Sequence, residues 1–253
     1  MNITSKELQL IKNEALDDCI IYLSGPSSLH TPIDLLRSNS VIGVNGSAGF
    51  LLENEIPMLA YVVCDGSFYE NNKSLFSKYS SYAQYTFISQ DVFNRASPSE
   101  KKELASACFV LNDICTSRGG IGRKLKYSIK SAMDSDIFIK CSALRRYKTV
   151  AFSSDICKGH FGSATVAFTA LQLAISLKFS RVFFSGLDMS GQCGRFYREG
   201  TPQPTSLPDD LQFITRSFSF LMNKHRGSVF NLSQETAIPY HVIPFADINH
   251  VFN

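Results

Sequence analysis

Three apolar, β-prone runs in the first quarter of the chain each close in small polar residues. They are Ile20-Ile21-Tyr22-Leu23-Ser24-Gly25-Pro26-Ser27-Ser28, Val41-Ile42-Gly43-Val44-Asn45-Gly46-Ser47-Ala48-Gly49 and Tyr61-Val62-Val63-Cys64-Asp65-Gly66. An apolar strand ending in a small-residue turn is how many α/β proteins present backbone N–H groups to a phosphate. Three such strands side by side turn their polar ends to one edge, so a ligand site is expected at the carboxyl edge of a parallel sheet.

The pattern continues along the chain. β-prone segments recur at 20–24, 41–45, 59–64, 85–89, 108–112, 149–153, 181–186 and 229–232, with helix-compatible stretches between several of them. This alternation predicts an α/β fold: a mainly parallel, Rossmann-like sheet with helices on both faces. The stretch Ser163–Leu177 is apolar on nearly every side, which suits a crossover helix buried against the sheet, and it runs into Arg181-Val182-Phe183-Phe184-Ser185-Gly186-Leu187-Asp188, another strand with a polar end. Pro208, Asp209 and Asp210 open a further helix with proline and acids in its first turn. Residues 190–207 read as a long loop, and 190–210 as a substrate lid. With 253 residues and no Pro/Gly/Ser-rich linker, 1–253 reads as one domain.

The composition, 44% hydrophobic with 19% charged residues, excludes a disordered chain. The seven cysteines form no CxxC pair and sit mostly in apolar runs, which fits a reducing cytoplasm and not zinc. The first residues lack a secretory signal, and no apolar run approaches the roughly 20 residues that span a bilayer. A net charge of +3 gives no argument for nucleic acid. The positive residues nevertheless crowd the middle of the chain, at Arg118, Arg123, Lys124, Lys126, Lys130, Lys140, Arg145, Arg146 and Lys148. They read either as a solvated helix face or as a surface for an anionic lipid.

Candidate chemistry is spread over several segments. Ser24–Ser28 lacks the G-x-G-x-x-G spacing and Gly119–Lys124 is no Walker A, so neither NAD nor ATP is signalled. Asp134-Ser135-Asp136 has the D-x-D form of a metal-holding motif but reads better as a surface feature after a basic helix. His160, just ahead of the long apolar helix, stands where a phosphate would meet the helix dipole, as donor or acid, or else makes a cap contact. Asp65 and Asp188 end apolar strands, and each is either a base or an acceptor for the following helix. His225 and His241 read as structural.

Leu23-Ser24-Gly25-Pro26-Ser27, Val44-Asn45-Gly46-Ser47-Ala48, Phe183-Phe184-Ser185-Gly186-Leu187-Asp188, Arg195-Phe196-Tyr197, Asn231-Leu232-Ser233 and Ile243-Pro244-Phe245 together resemble the lipopolysaccharide core biosynthesis family of the WaaZ type, from about residue 18 onward. That family is associated with adding a third 3-deoxy-D-manno-octulosonic acid (Kdo) to the inner core. A more distant likeness is to bacterial sialyltransferases that use a CMP-sugar, with a first strand closing in G-P-S, an asparagine ending the second, and a later helix and strand with S-G-[IL]-D. The likeness implies a sialyltransferase-like glycosyltransferase with a small lid. It implies that Gly25, Pro26, Ser27 and Asn45 contact the donor and that Gly162, Ser163 and Thr165 face its cytidine and phosphate; the strand-end acids Asp65 and Asp188 are counted with the donor-binding residues. Those enzymes carry a histidine after the S-G-[IL]-D strand, whereas 190–210 contains none, so Glu199, Asp209 and Asp210 are the acids to replace it, Asp209 first. His160 substitutes for the phosphate-holding tyrosines.

A CMP-activated Kdo leaves as CMP through an oxocarbenium-like transition state. The expected reaction is an inverting, metal-independent transfer from CMP-Kdo, with no cofactor, to the lipopolysaccharide inner core at the cytoplasmic face of the inner membrane. Arg195 or Arg198 would pair with the sugar carboxylate, and Asp209 or Glu199 would take the acceptor proton. The alternatives are a non-catalytic glycolipid-binding or core-assembly protein that retains the CMP-sugar fold, and an S-adenosylmethionine-dependent methyltransferase.

Overall fold

The computed structural model describes residues 1–142, 148–190, 195–196, 207–225 and 227–252. In chain order the elements are α1 (Ser5–Glu14), β1 (Asp18–Tyr22), α2 (Ile33–Arg37), β2 (Ser40–Val44), α3 (Ala48–Glu53), β3 (Ala60–Val63), α4 (Gly66–Asn71), α5 (Lys73–Tyr82), β4 (Tyr85–Ser89), α6 (Gln90–Arg95), α7 (Pro98–Ala107) and β5 (Phe109–Leu111). They continue with α8 (Ile121–Met133), β6 (Ile137–Lys140), β7 (Val150–Ser153), α9 (Val166–Ser176), β8 (Arg181–Ser185), α10 (Leu207–Met222), β9 (Val229–Asn231) and α11 (Ile248–Val251).

Seven strands form one sheet in the order β5-β4-β3-β2-β1-β8-β9, and every neighbouring pair is parallel. Such a sheet must be covered on both faces, and the side chains alternate accordingly. Cys19, Ile21, Ile42, Val44, Ala60, Val62, Val182 and Phe184 enter one core with α9 and α10. Ile20, Tyr22, Val41, Tyr61, Val63 and Phe183 enter the opposite core, with residues of α2 to α7. Helix α9 is buried along most of its length, as its uniformly apolar sequence requires, and packs across β1, β2 and β3.

Strand order reverses at β1: the chain steps outward from β1 to β5, then returns to the other side of β1 with β8 and β9. The pair is pinned at its start by Arg181, whose Nε donates to Asp18 Oδ1 and Oδ2 at 3.1 and 3.0 Å, with the guanidinium over the rings of Phe183 and Phe252. The carboxyl edge beside this reversal is the crevice where α/β sheets bind ligands.

The structure departs from the sequence expectation at one strand. The segment predicted at 149–153 is β7, and it lies outside the parallel sheet, paired antiparallel with β6, which the sequence reading missed. Phe152 stacks on Phe138 at 4.6 Å and meets Phe220 of α10 at 5.5 Å, so this strand is buried by the hairpin and α10. Periodicity reports a buried strand and is silent on its neighbour. Helix α9 also begins later than expected, at Val166, because Ala164 takes φ 58 and Thr165, its extended N-cap, ends the non-helical approach. Apart from Ser190, Arg195, Phe196 and the start of α10, the predicted lid 190–210 lies outside the described residues.

Gln172 of α9 joins the hairpin to the segment that leads into α9. Its Oε1 accepts from the backbone N–H of Ser153 (3.0 Å) and of Phe161 (3.1 Å), and its Nε2 donates to Phe161 O and Phe168 O, both at 3.0 Å. Replacing it by leucine strands buried backbone groups, each costing about 1–3 kcal/mol. Gln172→Leu is therefore expected to lower unfolding free energy by about 3 kcal/mol or more in urea titration, and a loss below about 0.5 kcal/mol would contradict this role.

Candidate active site

The G-P-S turn after β1 and the S-G-L-D turn after β8 are packed directly against each other. A Cβ at Gly25 would lie 2.4 Å from Gly186 O and 2.6 Å from Asp188 Oδ2, so only glycine allows the approach. Gly186 takes φ +80, in the left-handed region that favours glycine. Asp188, 6% exposed, accepts the backbone N–H of Ser27 at Oδ2 (2.9 Å) and the Ser27 hydroxyl at Oδ1. Ser27 Oγ also lies 2.8 Å from Ser233 Oγ, just past β9. Asp188, Ser27 and Ser233 thus clasp the tips of β8, β1 and β9.

This geometry decides between the two readings left open for the strand-end acids. The Ser27 amide and the Asp188 carboxylate are engaged with each other, and Asp188 holds the G-P-S turn in place. Asp65 is likewise a helix cap: its Oδ1 accepts from Ser67 N (2.9 Å) and Phe68 N (3.2 Å) at the start of α4. Of the two readings open for these strand-end acids, the acceptor reading is the one observed. Sequence reasoning gave no part in the clasp to Ser233, although its segment Asn231-Leu232-Ser233 carries a motif.

The β2 side of the edge is built differently. Ser47 Oγ donates toward Tyr22 O and Val44 O, at 2.8 and 2.7 Å, which ties the β1 and β2 tips together beside Asn45. Asn45 itself has φ 42, and its Oδ1 is inaccessible with no hydrogen-bond partner among the described residues. Across the edge, the approach to α9 shows the same features. Ser163 is fully buried with an unpartnered Oγ, Ala164 has φ 58, Gly162 is exposed with open space at its Cβ position, and Thr165 caps α9 through Ala167 N at 3.3 Å. Left-handed backbone at a non-glycine residue costs about 1 kcal/mol or more, and buried polar atoms without partners are rare. Both occur together where the sheet edge meets the helix N-terminus.

His160 lies under this segment. Its backbone N–H donates to Asn112 O (2.8 Å) and its carbonyl accepts from Ile114 N (2.9 Å), which fixes it to the end of β5. Nδ1 is 3.0 Å from Thr169 Oγ1 of α9, and Nε2 faces Asp113 Oδ1 at 3.6 Å without a hydrogen bond. The Asp113 side chain is 59% exposed and makes no hydrogen bond to the ring, whereas His160 is 2% exposed, so burial decides. It pushes the imidazole down to about 4. Near neutral pH His160 is therefore a neutral imidazole, which can still donate one N–H.

Phe196 anchors residues 195–196 over the β1 tip. Its N–H donates to Ser24 O at 3.1 Å, and its ring meets those of Tyr22 and Phe50, each at 6.1 Å. Arg195 is thereby held beside the G-P-S turn. Asp209 is exposed in the first turn of α10, and Phe213, one turn on, meets Phe161 edge-on at 6.2 Å, which brings that turn toward 160–165. Asp210 is paired with Lys148. Arg198 and Glu199 lie outside the described residues. The D-x-D acids Asp134 and Asp136 both hold Lys158 Nζ at 2.7 Å, and that contact draws both carboxyls below their usual range. Among the described residues no three His, Cys, Asp or Glu side chains gather as metal ligands, the six cysteines are free thiols, and no helix is long and apolar enough to cross a membrane.

A family model described as 3-deoxy-D-manno-octulosonic acid transferase WaaZ matches residues 3–249. The chain belongs to the WaaZ Kdo transferase family. It is 38% identical to the "Probable 3-deoxy-manno-octulosonic acid transferase" of Escherichia coli (strain K12), over 98% of this chain and 89% of that protein. It is also 38% identical to the protein of the same name from Salmonella typhimurium, over 94% and 90%. Among solved structures it is similar to the MAf glycosyltransferase from Magnetospirillum magneticum AMB-1 (14% identity, TM-score 0.49, 88% of this chain and 32% of that one). It is also similar to the sialyltransferase CstII from Campylobacter jejuni in complex with the substrate analogue cytidine-5'-monophosphate (13% identity, TM-score 0.47, 92% and 86%). Membership of the WaaZ family makes this chain a glycosyltransferase-family protein.

Burial of His160 gives this family member a defined acid sensitivity. The imidazole titrates near 6.5 when unfolded and near 4 when folded, so the folded chain binds fewer protons between these values. Its contribution is fully present above about pH 6.5 and is lost as pH falls toward 4, by roughly 3 kcal/mol. His160→Gln should flatten that part of the pH–stability curve in urea titrations, and identical curves for the two proteins would refute the assignment.

Proposed function

We propose that this chain transfers Kdo from CMP-Kdo to the inner core of lipopolysaccharide, with inversion and without a metal. The observation that carries the reading is the pairing of unsatisfied buried atoms, Asn45 Oδ1 and Ser163 Oγ, with left-handed backbone at one edge of the sheet. A nucleoside monophosphate supplies donors and acceptors of matching size, and the N-terminus of α9 favours its charge. Gly25, Pro26 and Asn45 line the β1–β2 tips for the donor, and Ser27 is held there by Asp188. Gly162, Ser163 and Thr165 face the cytidine and phosphate. His160, neutral and fixed to β5, supports that segment from below, and Asp65 supports the β3 tip by capping α4.

In the reaction the acceptor hydroxyl oxygen bonds to the anomeric carbon of Kdo as that carbon's bond to the phosphate oxygen breaks, and CMP departs with the electron pair. The acceptor proton passes to a carboxylate, Asp209 or Glu199. Arg195 and Arg198 pair with the Kdo carboxylate and orient the sugar. A monophosphate leaving group carries less charge than a diphosphate and needs less help from a cation. The D-x-D carboxylates, already neutralised by Lys158, are not required.

The test is incubation with CMP-Kdo generated in place and a truncated inner-core acceptor, read by mass for one added Kdo. Transfer should persist in chelator and in Asp134→Ala. Either Asp209→Asn or Glu199→Gln should lower kcat by about 10²-fold or more. Chelator-sensitive transfer would refute the metal-independent mechanism. CMP binding with no turnover would favour a non-catalytic, glycolipid-binding protein.

A further inference from the structure

Helix α8 is mounted with its apolar side outward. Leu125, Ile129 and Met133 recur every four residues along one face and are 63%, 51% and 83% exposed. The opposite, polar face is the one attached to the protein. Tyr127 Oη accepts from Thr116 N at 3.1 Å and lies 2.9 Å from Thr116 Oγ1, and Lys130 Nζ donates to Ile114 O at 2.9 Å. Ser131 Oγ donates to Ile137 O at 2.9 Å and accepts from Ile139 N at 3.1 Å, while Lys124 Nζ donates to Ser142 O. An amphipathic helix in a water-soluble domain turns its apolar stripe to the core. Here hydrogen bonds hold the helix in the reverse orientation, and the stripe has nothing of the described chain over it.

The charge around the stripe selects what covers it. Arg123 and Lys126 are exposed on α8, Arg118 is exposed just before it, and Lys140 is exposed at the end of β6, which packs beside it. Helix α8 contains no acid, and the nearest carboxylates, Asp134 and Asp136, are held on Lys158. Exposed apolar side chains bordered by cations fit an interface that is apolar within and anionic at its surface, which is an acidic phospholipid leaflet.

We infer that α8 is an interfacial docking helix: Leu125, Ile129 and Met133 enter the acyl boundary of an anionic membrane while Arg123, Lys126, Arg118 and Lys140 pair with its headgroups. Docking presents the protein to an acceptor that is itself anchored in lipid. The inference stands on α8 alone, and vesicle binding is measured without donor or acceptor, so its failure is separate from any failure of the transfer chemistry.

The test is co-sedimentation of the full chain with phosphatidylcholine vesicles containing about a third phosphatidylglycerol, against phosphatidylcholine alone. Binding should be selective for the acidic vesicles and weaken in high salt. It should fall by about tenfold or more in Leu125→Gln/Ile129→Gln/Met133→Gln, a variant altered only at exposed positions. As a second readout, the chain has no tryptophan, so Ile129→Trp places a single reporter on the face. Its emission should shift to the blue with acidic vesicles. No vesicle binding, an unshifted reporter, or undiminished binding by the triple variant would overturn the inference. So would a vesicle-free dimer in analytical centrifugation that the triple variant dissolves, because a second copy would then be the occupant.

Discussion

The contact on which the candidate site depends is the clasp between the G-P-S turn and the S-G-L-D turn. Without a side chain at Gly25 the two turns come within van der Waals reach, and the positive φ of Gly186 aims Asp188 at the Ser27 amide and hydroxyl. Because β1 and β8 flank the point where strand order reverses, this one contact fixes the mouth of the crevice. Ser233 extends the clasp to β9, so the β1–β8–β9 side is closed by its own hydrogen bonds. Asn45 Oδ1 and Ser163 Oγ, left without partners among the described residues, belong instead to the end of β2 and the approach to α9.

Around that fixed mouth the sheet edge is stiff. Ser47 bridges β1 and β2, Ser89 Oγ donates to Cys64 O to join β4 to β3, and the His160 backbone is bonded to residues just past β5. Rigid supports let a site keep polar groups unsatisfied until a ligand arrives, since the alternative, collapse onto a neighbour, is prevented. The neutral state of His160 belongs to the same design: its ring is buried, and the Asp113 carboxylate 3.6 Å from Nε2 makes no hydrogen bond to it.

Much of this was legible in the sequence. Apolar runs closing in small polar residues located seven strands of the parallel sheet, and the all-apolar stretch before Arg181 located α9. Three things were not legible, each for a physical reason. The β6–β7 hairpin is hidden because a buried strand looks alike whichever element buries it, and here Phe138 and Phe220 do so. The roles of Asp65 and Asp188 are hidden because a carboxylate after a strand serves equally as ligand or cap, and only placement shows that both accept from backbone amides. The outward face of α8 is hidden because a 3.6-residue period states that a helix has two faces and leaves open which one meets the protein.

In the proposed reaction a cytidine nucleotide is held on the β1–β2–α9 side of the edge while the clasp stays closed. Hydrogen–deuterium exchange with and without CMP measures this directly. Added protection is expected at 24–25, 45–47 and 162–166 and none at 231–236, with the Ser27 amide slow in both states. Protection confined to other segments, or no change anywhere at saturating CMP, would contradict it.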